Sequence, residues 1–255
     1  MSTLAAVRGW IRRLGVDVVR YRKPGAEPLP ADFDTRAIAV INRVRAHTMT
    51  SPERLYALIQ AVRHIAAAGI PGDVAECGVW RGGSMMAAAL TLAECGDTKR
   101  ELYLFDTFEG MSTPTALDVS ADGRKASALL VAPRSTDAAS PWCYAGIDDV
   151  RAGMHSTGYP VERMHFVQGK VEETIPCSAP ARIALLRLDT DWYESTRHEL
   201  EHLYPLLSPG GVLIIDDYGH WTGCRKAVDE YFGARGIRLL LNRVDYTGRI
   251  AIKPG

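Results

Sequence analysis

The sequence predicts an α/β protein, an open, doubly wound, mostly parallel sheet of seven strands closed by a C-terminal antiparallel hairpin. Three observations carry this. From residue 51 onward, strand-sized apolar runs alternate with stripes of helical period. The runs at 183–189 and 212–216 are short and continuously apolar up to their ends, as strands buried on both faces are. Acidic residues stand at the carboxyl ends of those runs, where sheets of this kind bind their ligands.

Size and composition frame the elements. A chain of 255 residues buries a sizeable core in one domain. Lys+Arg and Asp+Glu number 30 each, so there is no single-sign field to attract polyanions, and nucleic acid is not an expected partner. No apolar stretch is long enough to span a bilayer. The five cysteines, Cys77, Cys95, Cys143, Cys177 and Cys224, are scattered without a CxxC pair, which fits reduced thiols in a cytoplasmic protein and no zinc site.

The first twenty residues set Arg8, Arg12 and Arg13 among Leu4, Val7, Trp10, Ile11 and Leu14, an amphipathic helix without a signal-peptide core. Pro24, Gly25, Pro28 and Pro30 then break regular structure. Residues 1–45 therefore read as an arm and linker and 46–255 as the domain. Ser51 followed by Pro52 caps a helix carrying the stripe Leu55, Leu58, Ile59, Val62 and Ile65. Strand Asp73–Cys77, helix 82–92 and strand Leu102–Asp106 follow as two β-α units. After a small-residue, lid-like insert at 110–142 come strands at 164–167, 183–189 and 212–216, with helices at 194–206 and 224–232. Runs at 238–241 and Arg249–Ile252 around a turn-rich segment make the hairpin.

The first strand ends in Glu76-Cys77-Gly78-Val79-Trp80-Arg81-Gly82-Gly83-Ser84. Its GxxxGG spacing differs from the GxGxxG of dinucleotide sites, and the next strand-terminal acid, Asp106, lies 28 positions after Gly78 rather than about 20. Glu76 beside the turn suits a cationic amino-acid moiety, which favours S-adenosylmethionine over a pyrophosphate. Gly78, Trp80, Gly82 and Ser84 belong to that loop. Asp106 is placed to accept ribose hydroxyls as a bidentate pair, with Thr107 and Phe108 next to it. Gly169 and Val171, after the third strand, are placed to border the adenine. Taken alone, the glycines describe only a tight turn.

Asp189 and Asp191 end one buried strand in alternation, and Asp216 and Asp217 end the next. Adjacent strands lie about 4.8 Å apart, so the pairs converge. Two like charges near 4 Å cost about 4 kcal/mol at an effective dielectric of 20. Protonation, Arg187 and Arg225, or a hard divalent cation would relieve them, and magnesium fits best, with manganese or calcium as the other hard ions. Bound there, a dication lowers the pKa of an acceptor hydroxyl. Asp191 is then the general base and His220 the second catalytic candidate. For a single acid, N-capping by Asp191 or a turn at Asp217 would be the plainer use.

The segments Val74-Ala75-Glu76-Cys77-Gly78-Val79-Trp80-Arg81-Gly82-Gly83, Leu104-Phe105-Asp106-Thr107-Phe108-Glu109-Gly110-Met111, Arg187-Leu188-Asp189-Thr190-Asp191-Trp192-Tyr193-Glu194-Ser195-Thr196 and Asp216-Asp217-Tyr218-Gly219 resemble the macrocin O-methyltransferase family in order and spacing. The resemblance implies a class I S-adenosylmethionine-dependent fold and methyl transfer to a sugar or glycoside hydroxyl. It implies that Asp189, Asp216 and Asp217 hold magnesium and that Asp191 is the base. Thr50, Ser51 and Asp189 would join the glycine loop and Asp106 around the cofactor. A homodimer or higher homo-oligomer is expected. The acceptor is left open among antibiotic glycosides, glycolipids and envelope saccharides. A catechol or phenol acceptor is the near alternative, disfavoured by the polar insert. The glycine spacing speaks against a nicotinamide-dependent oxidoreductase, and Asp191 against a catalytically silent binding module.

Overall fold

The helices over Thr35–Val44 and Pro52–Ala67 each start on a side chain that accepts from the first turn. The computed structural model describes residues 29–131 and 140–255, so the amphipathic helix expected over 1–20 and residues 132–139 of the insert lie outside the described residues. Helix α1 (Thr35–Val44) is capped by Asp34, whose Oδ1 accepts from Arg36 N and Ala37 N, and it buries Ala37, Val40, Ile41 and Val44. Helix α2 (Pro52–Ala67) has the Ser51 cap and first-turn proline expected of it and buries the expected stripe. Asp34–Gly255 form one compact unit, so α1 lies within it although sequence assigned those residues to the arm.

Strand β1 (Asp73–Cys77) leads into α3 (Gly83–Glu94), sealed from Gly83 to Ala89, and β2 (Leu102–Asp106) follows. Helix α4 (Ile147–His155), which sequence left unassigned, precedes β3 (Met164–Gln168). Then come β4 (Ile183–Leu188), α5 (Tyr193–Leu203), β5 (Leu207–Ile215), α6 (Thr222–Ala234), β6 (Asn242–Arg243) and β7 (Arg249–Ile252). Pro205 converts the end of the helix expected over 194–206 into a 3₁₀ turn.

The seven strands run in the order β3-β2-β1-β4-β5-β7-β6. β1 to β5 pair in parallel, while β7 is antiparallel to β5 and β6 to β7. The chain moves from β1 outward to β3 and then returns to β4 on the other side of β1, so the switch point lies between β1 and β4. α1, α2 and α3 pack together, and α5 packs on α6.

The hairpin forms, with its first strand shifted from the expected 238–241 to Asn242–Arg243. Asp245 Oδ1 accepts from Thr247 N and Gly248 N and so tightens the turn, and pairing therefore starts nearer to it, at Arg243 opposite Arg249. Leu239 and Leu241 pack against the core instead. Among the described residues no helix is long and apolar enough to cross a membrane.

Candidate functional site

Strand register builds the site. Glu76 on β1 lies opposite Arg187 on β4, and Arg187 opposite Ile214 on β5. Residues two positions apart in an extended chain share a face. Glu76, Arg187, Asp189 and Asp216 therefore project together at the carboxyl edge of the sheet. Arg187 Nη1 donates to Glu76 Oε1 at 2.5 Å and Asp189 Oδ2 at 2.6 Å, and Nη2 donates to Asp216 Oδ1 at 2.5 Å and Thr50 Oγ1 at 3.2 Å. Burial works against the charge of Arg187, yet Asp189, Asp216 and Glu76 raise its pKa well above the ordinary value. Glu76 is itself pushed up to about 7 by burial, against the pull of Arg187. The other guanidinium in the cluster is Arg54 of α2, which donates to Asp216 Oδ2. Arg225 does not take that role: it donates to the carbonyls of Tyr218 and Gly219.

β4 ends at Leu188, so the strand alternation expected to align Asp191 with Asp189 stops short. Asp191 instead occupies the left-handed region at φ +66°, which a non-glycine residue adopts only when its surroundings over-determine it. Those surroundings are visible. Thr190 Oγ1 donates to the buried Glu199 Oε1 at 2.9 Å, Trp192 N to Thr190 O at 2.8 Å, and Tyr193 N to Asp118 Oδ1 at 2.8 Å. Trp221 Nε1 donates to Asp191 Oδ1 at 2.7 Å and fixes the carboxylate. Burial first and Asp189 second push Asp191 up to about 7, while the Trp221 bond pulls the other way.

Asp189, Asp216 and Asp217 bring ligand oxygens within 4.8 Å of one another. Withdrawal from water raises the pKa of Asp189 and Asp217 well above the carboxylate range. Asp217 Oδ2 is buried and has no hydrogen-bond partner. An orphaned acceptor beside two further carboxylates, all hard oxygen donors, fits a divalent cation such as magnesium.

Gly78 shows why the switch point needs glycine. Its φ is +81°, and a Cβ there would lie 2.0 Å from the Asp189 carbonyl oxygen. One cavity runs from this loop to the acids. Of the sequence-predicted residues, Thr50, Gly78, Trp80, Ser84, Asp106 and Thr107 line it. So do Gly169, Val171, Asp189, Asp191, Asp216 and Asp217.

Five other candidates stand outside the lining. Glu76 is turned onto Arg187, and Gly82 starts α3 with φ +82°. Ser51 caps α2 and donates to Asp245, and Phe108 is buried with its N–H donating to Asp106 Oδ1 at 2.7 Å. His220 packs edge-on against Trp221 at 4.7 Å. The Asp106 carboxylate, expected to face two ribose hydroxyls, also braces the glycine loop: its Oδ2 accepts from Val79 N at 2.6 Å and Trp80 N at 3.0 Å.

The described part of the insert is fastened to the wall that carries Asp191. Trp192 Nε1 donates to Ser112 O, Thr222 N to Val119 O, and Ser120 bridges Trp221. Buried Asp118 takes Thr115 N on Oδ2 while Oδ1 caps α5. Sequence reading missed Arg54, Asp118, Glu199 and Trp221. Arg54, Asp118 and Trp221 act through partners 162, 75 and 30 positions away, and Glu199 through Thr190 beside the Asp191 turn, so local spacing gives no signal for any of them.

The family described as macrocin-O-methyltransferase (TylF) matches residues 14–251. Over 207 residues the chain is 39% identical to the 8-demethyl-8-(2,3-dimethoxy-alpha-L-rhamnosyl)-tetracenomycin-C 4'-O-methyltransferase of Streptomyces olivaceus, covering 80% of this chain and 74% of that one. It is 33% identical over 207 residues to the mycinamicin III 3''-O-methyltransferase of Micromonospora griseorubida, covering 80% and 77%. The solved structure of the O-methyltransferase NovP superposes with a TM-score of 0.70 at 30% identity, covering 85% of this chain and 88% of that one.

Proposed function

The chain belongs to the macrocin O-methyltransferase family of S-adenosylmethionine-dependent enzymes, and we propose that it methylates a hydroxyl of a sugar or glycoside with Asp191 as general base and magnesium held by Asp189, Asp216 and Asp217. One relative is by its name the 4'-O-methyltransferase of a rhamnosyl-tetracenomycin, a glycoside, and this supports the acceptor class. The observation that carries the mechanism is Asp191: a strained carboxylate that lines the cavity with the triad, one oxygen fixed by Trp221 Nε1.

Asp189, Asp216 and Asp217 would hold a divalent ion that, when bound, would supply positive charge to lower the pKa of an acceptor hydroxyl. Asp191 accepts the proton that hydroxyl loses, so that the oxygen can form its bond to the methyl carbon as the methyl–sulfur bond breaks. Trp221 holds the acceptor-facing carboxylate in one orientation, which removes a rotational search from the transition state. Gly78 keeps side-chain atoms out of the loop at the switch point. Arg187 keeps Glu76, Asp189 and Asp216 from repelling one another.

The test is transfer of labelled methyl from S-adenosylmethionine to a panel of glycosides and catechols, with magnesium and with excess chelator. Glycoside methylation that needs the ion supports the proposal. Methylation of catechols alone overturns the acceptor class, and full activity in chelator overturns the metal assignment.

A further inference from the structure

Arg54 stands out because it takes the second oxygen of a carboxylate already bonded to a guanidinium. Asp216 Oδ1 accepts from Arg187 at 2.5 Å, and Asp216 Oδ2 accepts from Arg54. Both sides of one of the three clustered acids are thus covered by cations that belong to the chain. Arg54 has a different standing from Arg187. Arg187 lies on β4 inside the sheet, 4% exposed and held by three carboxylates. Arg54 lines the open cavity, reaching in from α2.

A second carboxylate waits beside it. Arg54 Nε lies 3.0 Å from Asp245 Oδ2, yet the alignment makes no hydrogen bond, and Nε is buried without a partner. Asp245 is immobilised: Oδ1 accepts from Thr247 N at 2.9 Å and Gly248 N at 2.7 Å, and Oδ2 accepts from Ser51 Oγ at 2.7 Å. Glycine at 248 leaves room for the Arg54 stem, since a Cβ there would meet Cδ at 2.8 Å. The head of Arg54 thus spans two acids, one in the triad and one outside it.

We infer that Arg54 is a tethered cation that competes with the divalent ion for Asp216, and that Asp245 is the seat to which its guanidinium withdraws. The inference rests on the metal reading proposed above and adds residues that oppose and assist the ion. In the ion-free protein Arg54 screens Asp216 from Asp217 and Asp189. A dication entering the triad meets a unit positive charge at close range, and the guanidinium can yield its place because a fixed carboxylate already lies within ion-pair distance.

The test is calorimetric titration of the full chain with Mn²⁺, without cofactor or acceptor. Arg54→Met tightens binding on the order of tenfold, because even at the dielectric of water a unit charge beside a dication is worth that much. Asp245→Asn keeps the oxygen that accepts from Thr247 and Gly248 but removes the charge of the alternative seat, and it weakens binding several-fold. The double variant binds like Arg54→Met, since Asp245 acts through Arg54. The opposite signs of the two single variants exclude misfolding, which would weaken both. Unchanged or weaker binding in Arg54→Met overturns the inference. So does weakening by Asp245→Asn that persists in the double variant, which would mean a simple field effect. Failure of the parent chain to bind Mn²⁺ overturns the metal reading itself, and this inference with it.

Discussion

Replacing Arg187 by methionine tests the electrostatics of the site without requiring an acceptor. Methionine keeps an apolar stem of similar reach and removes the guanidinium. The loss strands Glu76 at 1% exposure and leaves Asp216, at 3%, with Arg54 as its one remaining cation. It also strands Asp189, whose side chain is 28% exposed and can rehydrate. Removing one partner of a buried ion pair costs about 3–5 kcal/mol, because the remaining charge stays desolvated. At roughly 2–4 °C per kcal/mol for a domain of this size, the melting temperature falls by roughly 6–20 °C. Glu76, already pushed up to about 7 by burial, rises further once Arg187 is gone, so protonation discharges it as pH falls. The gap between variant and parent therefore narrows from pH 8 to pH 5, and differential scanning calorimetry over that range reads it. A variant that melts within 2 °C of the parent at pH 8 would refute the claim that Arg187 neutralises the strand-end acids.

Three further outcomes follow from single contacts. Trp221→Phe removes the 2.7 Å bond to Asp191 but keeps an aromatic ring against Trp192; a hydrogen bond to a charged group is worth about 1.5–3 kcal/mol. Turnover then drops at least about tenfold, while S-adenosylmethionine affinity by calorimetry is unchanged, since Trp221 does not line the cavity. Gly78→Ala places a methyl group 2.0 Å from the Asp189 carbonyl oxygen at φ +81°, and the variant is recovered unfolded or with cofactor binding abolished, as circular dichroism and calorimetry will read. Asp34→Asn loses the charge and the Oδ2 that accepts from Arg63 Nη1, the partner that, with Ala37 N, lowers the Asp34 pKa. The half-exposed Asp34 contributes at most about 1 kcal/mol. That contribution is present above the ordinary value of 3.8 and vanishes as pH falls through the lowered native value, so parent and variant melting temperatures converge in acid.

The sheet was legible because its signals are local. Continuous apolar runs at β4 and β5 and the Ser51-Pro52 start of α2 each specify their element without help from elsewhere. Helix α1 carried an equally local signal, Asp34 ahead of Ala37, Val40, Ile41 and Val44, yet the prolines upstream drew its residues into the arm. The hairpin shifted because its first strand is set by the Asp245 turn rather than by hydrophobicity.

The acids were legible for a different reason: a carboxylate at the end of a buried parallel strand has nowhere to face but the ligand crevice. Their partners were not. Arg187 stood out as a charge inside an apolar strand, whereas Arg54 meets Asp216 only because α2 crosses the carboxyl edge, 162 positions away in the chain. Arg225 looked equally eligible by proximity along the chain but donates to the carbonyls of Tyr218 and Gly219, ahead of its own helix. Asp191 was legible as an acid and not as a strained one, since the left-handed turn depends on Glu199, Asp118 and Trp221.

Asp191→Asn submits the account to its most direct trial, with labelled methyl transfer to a glycoside that the parent accepts and calorimetry of cofactor and Mn²⁺ on the same protein. Asparagine retains an oxygen for the Trp221 N–H and loses the capacity to take a proton. Turnover is expected to fall at least about a hundredfold, with both ligands bound as in the parent. Turnover within twofold of the parent would contradict the account.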